Sequence, residues 1–412
     1  MLEILAYVCI GLAGGVFTGL IPSIHVNNLT PILVGIALSS NSSPIYMCVA
    51  IVAMMMTHTI ISYIPSTFLG APEEGTALSV LPAHKLLLEG RGYEAIRLTA
   101  FGCLGALILS AGLILPLNLF LNKTYEIIQP QMHWILISVV AIMIALEKSL
   151  TGILCAMAIF LLSGLLGILA LDASLLQGET ALMPLLSGLF GISVLLTSIM
   201  QKSSIPKQDV DENSPIEFRS KVKALITGTG AGILTGIIPG IGPSQGTVLT
   251  QIVTRSEDSK DFLIAVSGVN MSKALFSFVA LMAIGKPRSG AAVAVGELIK
   301  VGPEELVILV GSALVASGLA AIVHLKLGKI AAKHMGKLPY RKMCVAVIAS
   351  IVVLSAYLCG IVGIVVLFTA TAIGLLPAVT RVRRTHCMGC IILPCILFFA
   401  GLKGAVLSLL GL

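Results

Sequence analysis

Charged and aromatic side chains are scarce in this sequence. Only 11% of its 412 residues are Asp, Glu, Lys or Arg and 5% are aromatic, whereas 57% are hydrophobic. A soluble protein of this length needs far more charge to cover its surface, so the composition excludes one. Many apolar runs have the roughly 17–25 residues that cross about 30 Å of bilayer hydrocarbon. The sequence therefore predicts an all-α polytopic membrane protein.

Signatures of catalysis and of metal binding are missing as well. There is no HExxH and no carboxylate-rich metal motif, which argues against an enzyme. The nine cysteines form no disulfide or zinc-finger pattern, and "HCMGC" at 386–390 is interpreted as an incidental cluster. Basic loops on the cytoplasmic side explain the net charge of +7 better than nucleic acid does. We expect no metal, no nucleic-acid partner and no cofactor apart from a coupling Na⁺ or H⁺.

About twelve full-length apolar spans are predicted, six on either side of a hydrophilic stretch at 201–221. They fall near 4–22, 45–64, 98–121, 133–149, 151–171, 181–199, 222–239, 262–284, 304–325, 343–358, 360–379 and 387–411. The chain thus divides into an N-terminal membrane repeat (1–200), an exposed linker (201–221) and a C-terminal membrane repeat (222–412). Four further apolar pieces are too short to cross alone and are predicted to be re-entrant or broken helices, near 27–38, 74–88, 245–254 and 289–300.

The two halves resemble each other. A shift of 217 aligns residues 11–32 with 228–249 at eight identities in 22 positions, and a shift of 215 aligns "GAPEEGTAL" (70–78) with "GKPRSGAAV" (285–293). Most Lys and Arg fall in a few loops, which we place in the cytoplasm. Corresponding loops then lie on opposite sides, which predicts inverted-topology repeats. Both chain termini are predicted to lie on the outer side of the cytoplasmic membrane, and the linker is predicted to lie on its cytoplasmic side.

Each half contains an apolar span interrupted by glycine and proline. An interrupted helix exposes N–H groups that suit an anion and carbonyls that suit Na⁺ or H⁺. Paired breaks in inverted halves indicate a transport site, although glycine and proline can also serve only packing and kinks. The candidate substrate contacts at and after the breaks are Pro22, Ser23, Asn27, Asn28, Pro239, Gly240, Gly242, Ser244 and Gln245.

Ionisable and amide residues near the breaks complete the candidate site. Asn270 and Lys273 lie one helical turn apart, and Arg288 follows in the next loop, so all three are candidate anion contacts. Lys273 could equally extend to the membrane interface. Glu73, Glu74 and His58 are candidate ion-coupling residues. The alternatives are a solvated turn for the two acids and a satisfied interior histidine for His58.

Four stretches of the sequence carry a family resemblance. They are "GAGILTGIIPGIGP" (230–243), "GAPEEGTALSVLPAHKLLLEGRGYEAI" (70–96) and, in the second half, "GVNMSKA" and "AIGKPRSG". At these residues the sequence resembles the large membrane subunit of tripartite tricarboxylate transporters, the TctA family. The family has Pro-Gly where this chain has Pro22-Ser23, and usually two asparagines where only Asn270 stands, so we expect a compact, divergent member. The resemblance implies ion-coupled uptake with a periplasmic or extracellular binding protein and a small membrane subunit.

The pattern as a whole favours a secondary transporter for a small organic anion, such as a di- or tricarboxylate, working by alternating access. The alternative is a translocase for a lipid-linked phosphate, which the same helix ends and cations would suit. The expected partners are the anionic solute and membrane lipids, and a homodimer is left open.

Overall fold

The computed structural model describes residues 2–21, 26–39, 42–71, 73, 75–118, 121–147, 149–171, 178–200, 205–210, 218–238, 242–254, 258–335 and 340–409, and within these ranges it contains helices and no strand. The helices are α1 (Leu2–Leu20), α2 (Val26–Ser39), α3 (Pro44–Ile61), α4 (Tyr63–Leu69), α5 (Val80–Leu88), α6 (Gly92–Asn118), α7 (Leu121–Ile128), α8 (Met132–Ala145), α9 (Leu150–Leu171), α10 (Gly178–Leu186), α11 (Ser193–Met200), α12 (Phe218–Ile237), α13 (Pro243–Thr254), α14 (Ser259–Ile284), α15 (Gly290–Leu298), α16 (Pro303–Met335), α17 (Tyr340–Thr380), α18 (Gly389–Phe399) and α19 (Lys403–Leu409). Short 3₁₀ turns precede α5, α8 and α18, and a π-helix (Ser187–Ile192) joins α10 to α11.

Within the described ranges, nine helices are long and apolar enough to cross a membrane, or ten if the pair α18 and α19, bent by 115°, counts as one span. The all-α polytopic membrane fold is therefore confirmed, whereas the number of about twelve spans is not. Part of the difference lies in α17, which counts as one span although its 41 residues are two helices that meet at a kink, close to the predicted spans 343–358 and 360–379. Gly360, near its centre, has φ 61°, a conformation that glycine adopts without strain, so the chain kinks there.

The four short apolar pieces form short helices, as the sequence predicts. They are α2, α13, α15 and the segment Ala77–Leu88 that contains α5, none longer than 14 residues. At about 1.5 Å per residue, none of them spans 30 Å of hydrocarbon.

Helix boundaries repeat between the two halves. α2 begins at Val26 and α13 begins at Pro243, which is 217 positions later, each after a break in the preceding helix. The span Pro44–Leu69 and α14 (Ser259–Ile284) agree at both ends with a shift of 215. Both stop at a left-handed glycine, Gly70 (φ 62°) or Gly285 (φ 67°), whose N–H caps a carbonyl of the last turn.

Glycines at matching positions hold the first two long helices of each half together. A Cβ on Gly15 of α1 would lie 2.6 Å from the Met54 carbonyl oxygen, and one on Gly232 of α12 would lie 2.5 Å from that of Val269. Such small residues let helix backbones approach closely inside a membrane. The GxxxG parts of the two motifs therefore serve packing.

The corresponding helices α6 and α16 cross each other in opposite directions. His324 Nε2 near the end of α16 lies 3.2 Å from Thr99 Oγ1 near the start of α6, and Gly328 packs on Ile96. Opposed directions of equivalent helices are what inverted repeats require. The boundaries 1–200, 201–221 and 222–412 stay a prediction, because residues 201–204 and 211–217 lie outside the described ranges.

The sequence predicts an exposed linker, and in its described part (205–210) Pro206, Lys207 and Asp209 are exposed while Gln208 is docked on the bundle. Gln208 is buried, donates a hydrogen bond to the Leu87 carbonyl (3.0 Å) and accepts one from the Gly92 N–H (2.8 Å). The Asp209 N–H donates to the Gly90 carbonyl. The turn between α5 and α6 thus supplies backbone partners that a polarity pattern alone does not reveal.

Ion pairs join the starts of α6, α12 and α14 at the same end of the bundle. Lys221 pairs with Asp258 at 3.0 Å and with Asp261, while Lys260 pairs with Glu94 at 2.8 Å. The docked linker contacts the α5–α6 turn at this end too. Loop 85–97 and the linker therefore lie on one side of the bundle, as the charge pattern predicts.

Candidate functional site

A cavity of about 250 Å³ lies between α3 and α14, beside the connections that precede α5 and α15. Each half contributes seven lining residues. Five of them are residues that the sequence singles out: His58, Glu73, Asn270, Lys273 and Arg288. The remainder are Met55, Thr59, Ser62, Gly75, Thr76, Pro243, Ala274, Ser289 and Gly290. Concave sites where two halves meet, with a few convergent polar groups, are the usual places for small ligands.

The two walls of the cavity have equivalent positions but opposite chemistry. With the shift of 215, His58 corresponds to Lys273 and Glu73 corresponds to Arg288. The first half therefore presents an imidazole and a carboxylate. The second half presents two cations at the same places.

On the first wall, His58 is held at both ring nitrogens. Its Nε2 lies 2.7 Å from Glu73 Oε2 and its Nδ1 lies 3.0 Å from Thr18 Oγ1, and the side chain is 3% exposed. The Glu73 backbone N–H donates to Thr76 Oγ1, which fixes the connection that carries the carboxylate. His58 is thus both a satisfied interior histidine and a residue of the cavity, and its coupling role stays a prediction.

Lys273 lines the opposite wall. It is the fifteenth of the 26 residues of α14, so about 16 Å or more of helix separates it from either end. Among the described residues it has no carboxylate partner within ion-pair distance, unlike Lys221 and Lys260. Its place in the cavity favours a ligand contact over an extension to the membrane interface.

Arg288 connects the cavity to the break in the second half. Its Nε–H donates to the carbonyl oxygen of Ile237, the last residue of α12, at 2.8 Å. A cation at a helix C-terminus satisfies a carbonyl that has no partner inside the helix and complements the helix dipole. The arginine therefore stabilises the broken helix and borders the cavity at the same time.

Two helix N-termini also border the cavity. Pro243 is the first residue of α13, and Ser289 is the N-cap of α15, accepting a hydrogen bond from the Ala292 N–H. Free N–H groups and the helix dipole make such ends favourable for anions. Together with Lys273 and Arg288, they make the second wall strongly electropositive.

Asn270 ties the halves together across the cavity. Its amide NH₂ donates to the hydroxyl of Tyr63 and, at 2.7 Å, to the carbonyl of Gly75. A carbonyl oxygen can only accept a hydrogen bond, so the Asn270 NH₂ group must face Gly75, and this fixes the orientation of the amide.

No pattern in the sequence points to Tyr63. Thr18 could have been found, because it is identical to Thr235 in the aligned repeat.

Several candidate residues cannot be located in the cavity. Pro22, Ser23, Glu74, Pro239 and Gly240 are outside the described residues. Only the backbone of four others is described, in the first turns of α2 and α13: Asn27, Asn28, Ser244 and Gln245. Gly242 is buried just before α13 and is not among the residues that line the cavity.

The "HCMGC" cluster makes a structural contact. His386 Nε2 lies 2.8 Å from Glu147 Oε1, which also accepts from the Arg383 N–H and so links the α8–α9 turn to the end of α17. Among the described residues, no three His, Cys, Asp or Glu side chains come together as metal ligands.

Comparison with known proteins covers nearly the whole chain. The sequence model of the tripartite tricarboxylate transporter TctA family matches residues 5–389. The chain is also 30% identical to the uncharacterized protein MJ1079 of Methanocaldococcus jannaschii over 408 residues, which cover 96% of this chain and 98% of that protein. No solved structure matches it. The fold, the paired breaks and the family match lead to one conclusion: this chain belongs to the tripartite tricarboxylate transporter TctA family.

Proposed function

We propose that this chain carries a small organic anion, a di- or tricarboxylate, across the cytoplasmic membrane by ion-coupled alternating access. The observation that carries the proposal is the cavity between α3 and α14, whose two walls come from different halves of the chain. A site at the contact of two repeats becomes open to either side of the membrane when one repeat rocks against the other.

The second wall is suited to a carboxylate. Lys273 and the Arg288 guanidinium can donate charge-assisted hydrogen bonds, and the N-termini of α13 and α15 add backbone dipoles. Inside a low-dielectric bundle such contacts are stronger than in water. A cavity of about 250 Å³ limits the solute to a small molecule.

The family supplies the expected partners. A tripartite system combines this subunit with a small membrane subunit and a binding protein that delivers the solute from outside. We place both termini outside and the linker in the cytoplasm, and size measurements on the purified protein would decide whether it forms a homodimer. The described residues offer no observation that favours a lipid-linked phosphate over a soluble anion.

Direct binding to the purified chain tests the proposal without requiring the partner subunits. Succinate, malate and citrate are titrated onto the detergent-solubilised protein, and counterflow exchange is then measured in proteoliposomes for any that bind. We expect at least one to bind and exchange. Arg288→Gln should weaken that binding about tenfold or more, equal to about 1.4 kcal/mol.

Lys300→Gln is the matched control, because Lys300 is exposed and lies outside the cavity. Its binding should equal that of the wild type. The proposal fails if none of the three carboxylates binds or exchanges, and copurification of a lipid phosphate in that case would favour the translocase.

A further inference from the structure

The proposed transport function leaves the coupling ion open. We propose that the ion is a proton, bound by the His58–Glu73 pair, and that the proton and the solute anion strengthen each other's binding. This inference rests on the proposed function.

The hydroxyl of Thr18 permits two hydrogen-bond arrangements around His58. In the first, Thr18 donates to the Gly15 carbonyl at 3.3 Å and accepts from His58 Nδ1–H. A second proton then lies between His58 Nε2 and Glu73 Oε2, and the pair is neutral overall, whether as imidazolium with carboxylate or as imidazole with carboxylic acid.

In the second arrangement, the hydroxyl turns and donates to His58 Nδ1 instead. The imidazole is then neutral, Nε2–H donates to the Glu73 carboxylate, and the pair carries one negative charge. The two arrangements differ by one proton and use the same atoms within hydrogen-bond distance. The buried pair can therefore gain or lose a proton without leaving a polar atom unsatisfied.

The charge of the pair matters because an anion binds in the same cavity. Lys273 and Arg288 face the pair from the second wall. When the pair is neutral, the two cations attract a solute anion without competition. When it is negative, it repels the anion and partly neutralises the cations. The anion therefore binds more tightly to the protonated protein, and by linkage the anion raises the proton affinity by the same factor.

Other titratable groups on the helices around α3 lie away from the cavity. α2 has none, and those of α1 end at Cys9, nine positions before Thr18. Those of α16 lie in its first turn or from His324 onward, and those of α6 (Tyr93, Glu94, Arg97 and Cys103) are not among the residues that line the cavity. Tyr63 binds Asn270, Glu297 of α15 is outside the cavity lining, and Glu74 is outside the described residues.

The test measures the binding affinity at several pH values between neutral and mildly alkaline pH. The ligand is whichever of succinate, malate and citrate binds, and these carboxylates are fully ionised over that range. We expect wild-type affinity to fall about fivefold or more as the pH rises, with about one proton taken up per anion bound. Replacing Na⁺ by K⁺ should change neither result. Glu73→Gln, which keeps the pair neutral, should bind with an affinity independent of pH and without proton uptake.

Two matched variants localise the proton. Thr18→Val removes the acceptor for His58 Nδ1–H and should move the midpoint of the pH dependence to lower pH, because an unpartnered N–H destabilises the protonated pair. Thr235→Val removes the equivalent hydroxyl, which bonds to the Gly232 carbonyl, and should leave the midpoint unchanged. Glu74→Gln should retain the pH dependence.

Failure of this inference is distinguishable from failure of the transport function. If anions bind but the affinity is independent of pH, depends on Na⁺, or loses its pH dependence in Glu74→Gln instead of Glu73→Gln, the proton pair is wrong and the transport proposal stands. If no carboxylate binds, the transport proposal itself fails.

Discussion

Lys273 is an ammonium group in the middle of a long buried helix. Insertion of a lysine at the centre of a membrane helix costs about 2.5–3.5 kcal/mol. Among the described residues no carboxylate forms an ion pair with it, and its side chain borders the cavity. The charge thus adds little to the stability of the fold, and the partner that we propose for it is the solute anion.

We expect Lys273→Met to weaken carboxylate binding about tenfold or more, equal to about 1.4 kcal/mol, because the anion loses a charged donor. Thermal stability without ligand should not fall, since methionine fills the same space without a buried charge. Isothermal titration gives the affinity and a fluorescence melt gives the midpoint. A variant that binds as tightly as the wild type would remove Lys273 from the site.

At the scale of the helices, the glycines on the contacting faces of α1 and α12 determine how closely these helices pack against α3 and α14. Gly232 faces α14, whereas Gly230, two residues earlier on α12, is exposed, and a Cβ added there would have no neighbouring atom within 4 Å. The same helix therefore contains a glycine that packing requires and one that it does not. Gly15 and its contact with α3 repeat the required arrangement in the first half.

Gly232→Ala should lower the free energy of unfolding by about 1–3 kcal/mol, because the new methyl group would press on the Val269 carbonyl. Gly230→Ala should be neutral or stabilising by up to about 1 kcal/mol, because alanine favours a helix more than glycine does. Denaturant or thermal unfolding in the same detergent compares the two. Equal stability of both variants would contradict the packing role.

The elements of the fold are easier to predict from the sequence than their connections. The spans, the short helices and the repeated breaks follow from hydropathy and from glycine and proline, which act locally. The docking of Gln208 on the α5–α6 turn depends on backbone partners, which composition does not encode. At the site, the sequence predicts the charged residues but not Tyr63, and it marks Thr18 only through its identity with Thr235. Each of these two acts through a contact between residues far apart in the chain.

At the scale of the whole molecule, the cavity joins two halves that would have to move relative to each other during transport. α6 and α16 belong to different halves and cross near Ile96 and Gly328. The Cβ of Ile96 lies 3.2 Å from the position of a Cβ on Gly328, a few tenths of an ångström below the usual range of about 3.5–4.5 Å for a disulfide. Rocking of the halves would change this separation.

The double variant Ile96→Cys/Gly328→Cys should therefore form a disulfide on oxidation and lose counterflow exchange, while it still binds the carboxylate, because the cavity residues are unchanged. Reductant should restore exchange. Mass spectrometry of the linked peptides establishes which cysteines have paired, which matters because the chain has nine of its own. Each single variant, oxidised in parallel, controls for those native thiols. Full exchange in a protein that is shown to be cross-linked would mean that α6 and α16 move as one body, and the moving boundary would then lie elsewhere in the bundle.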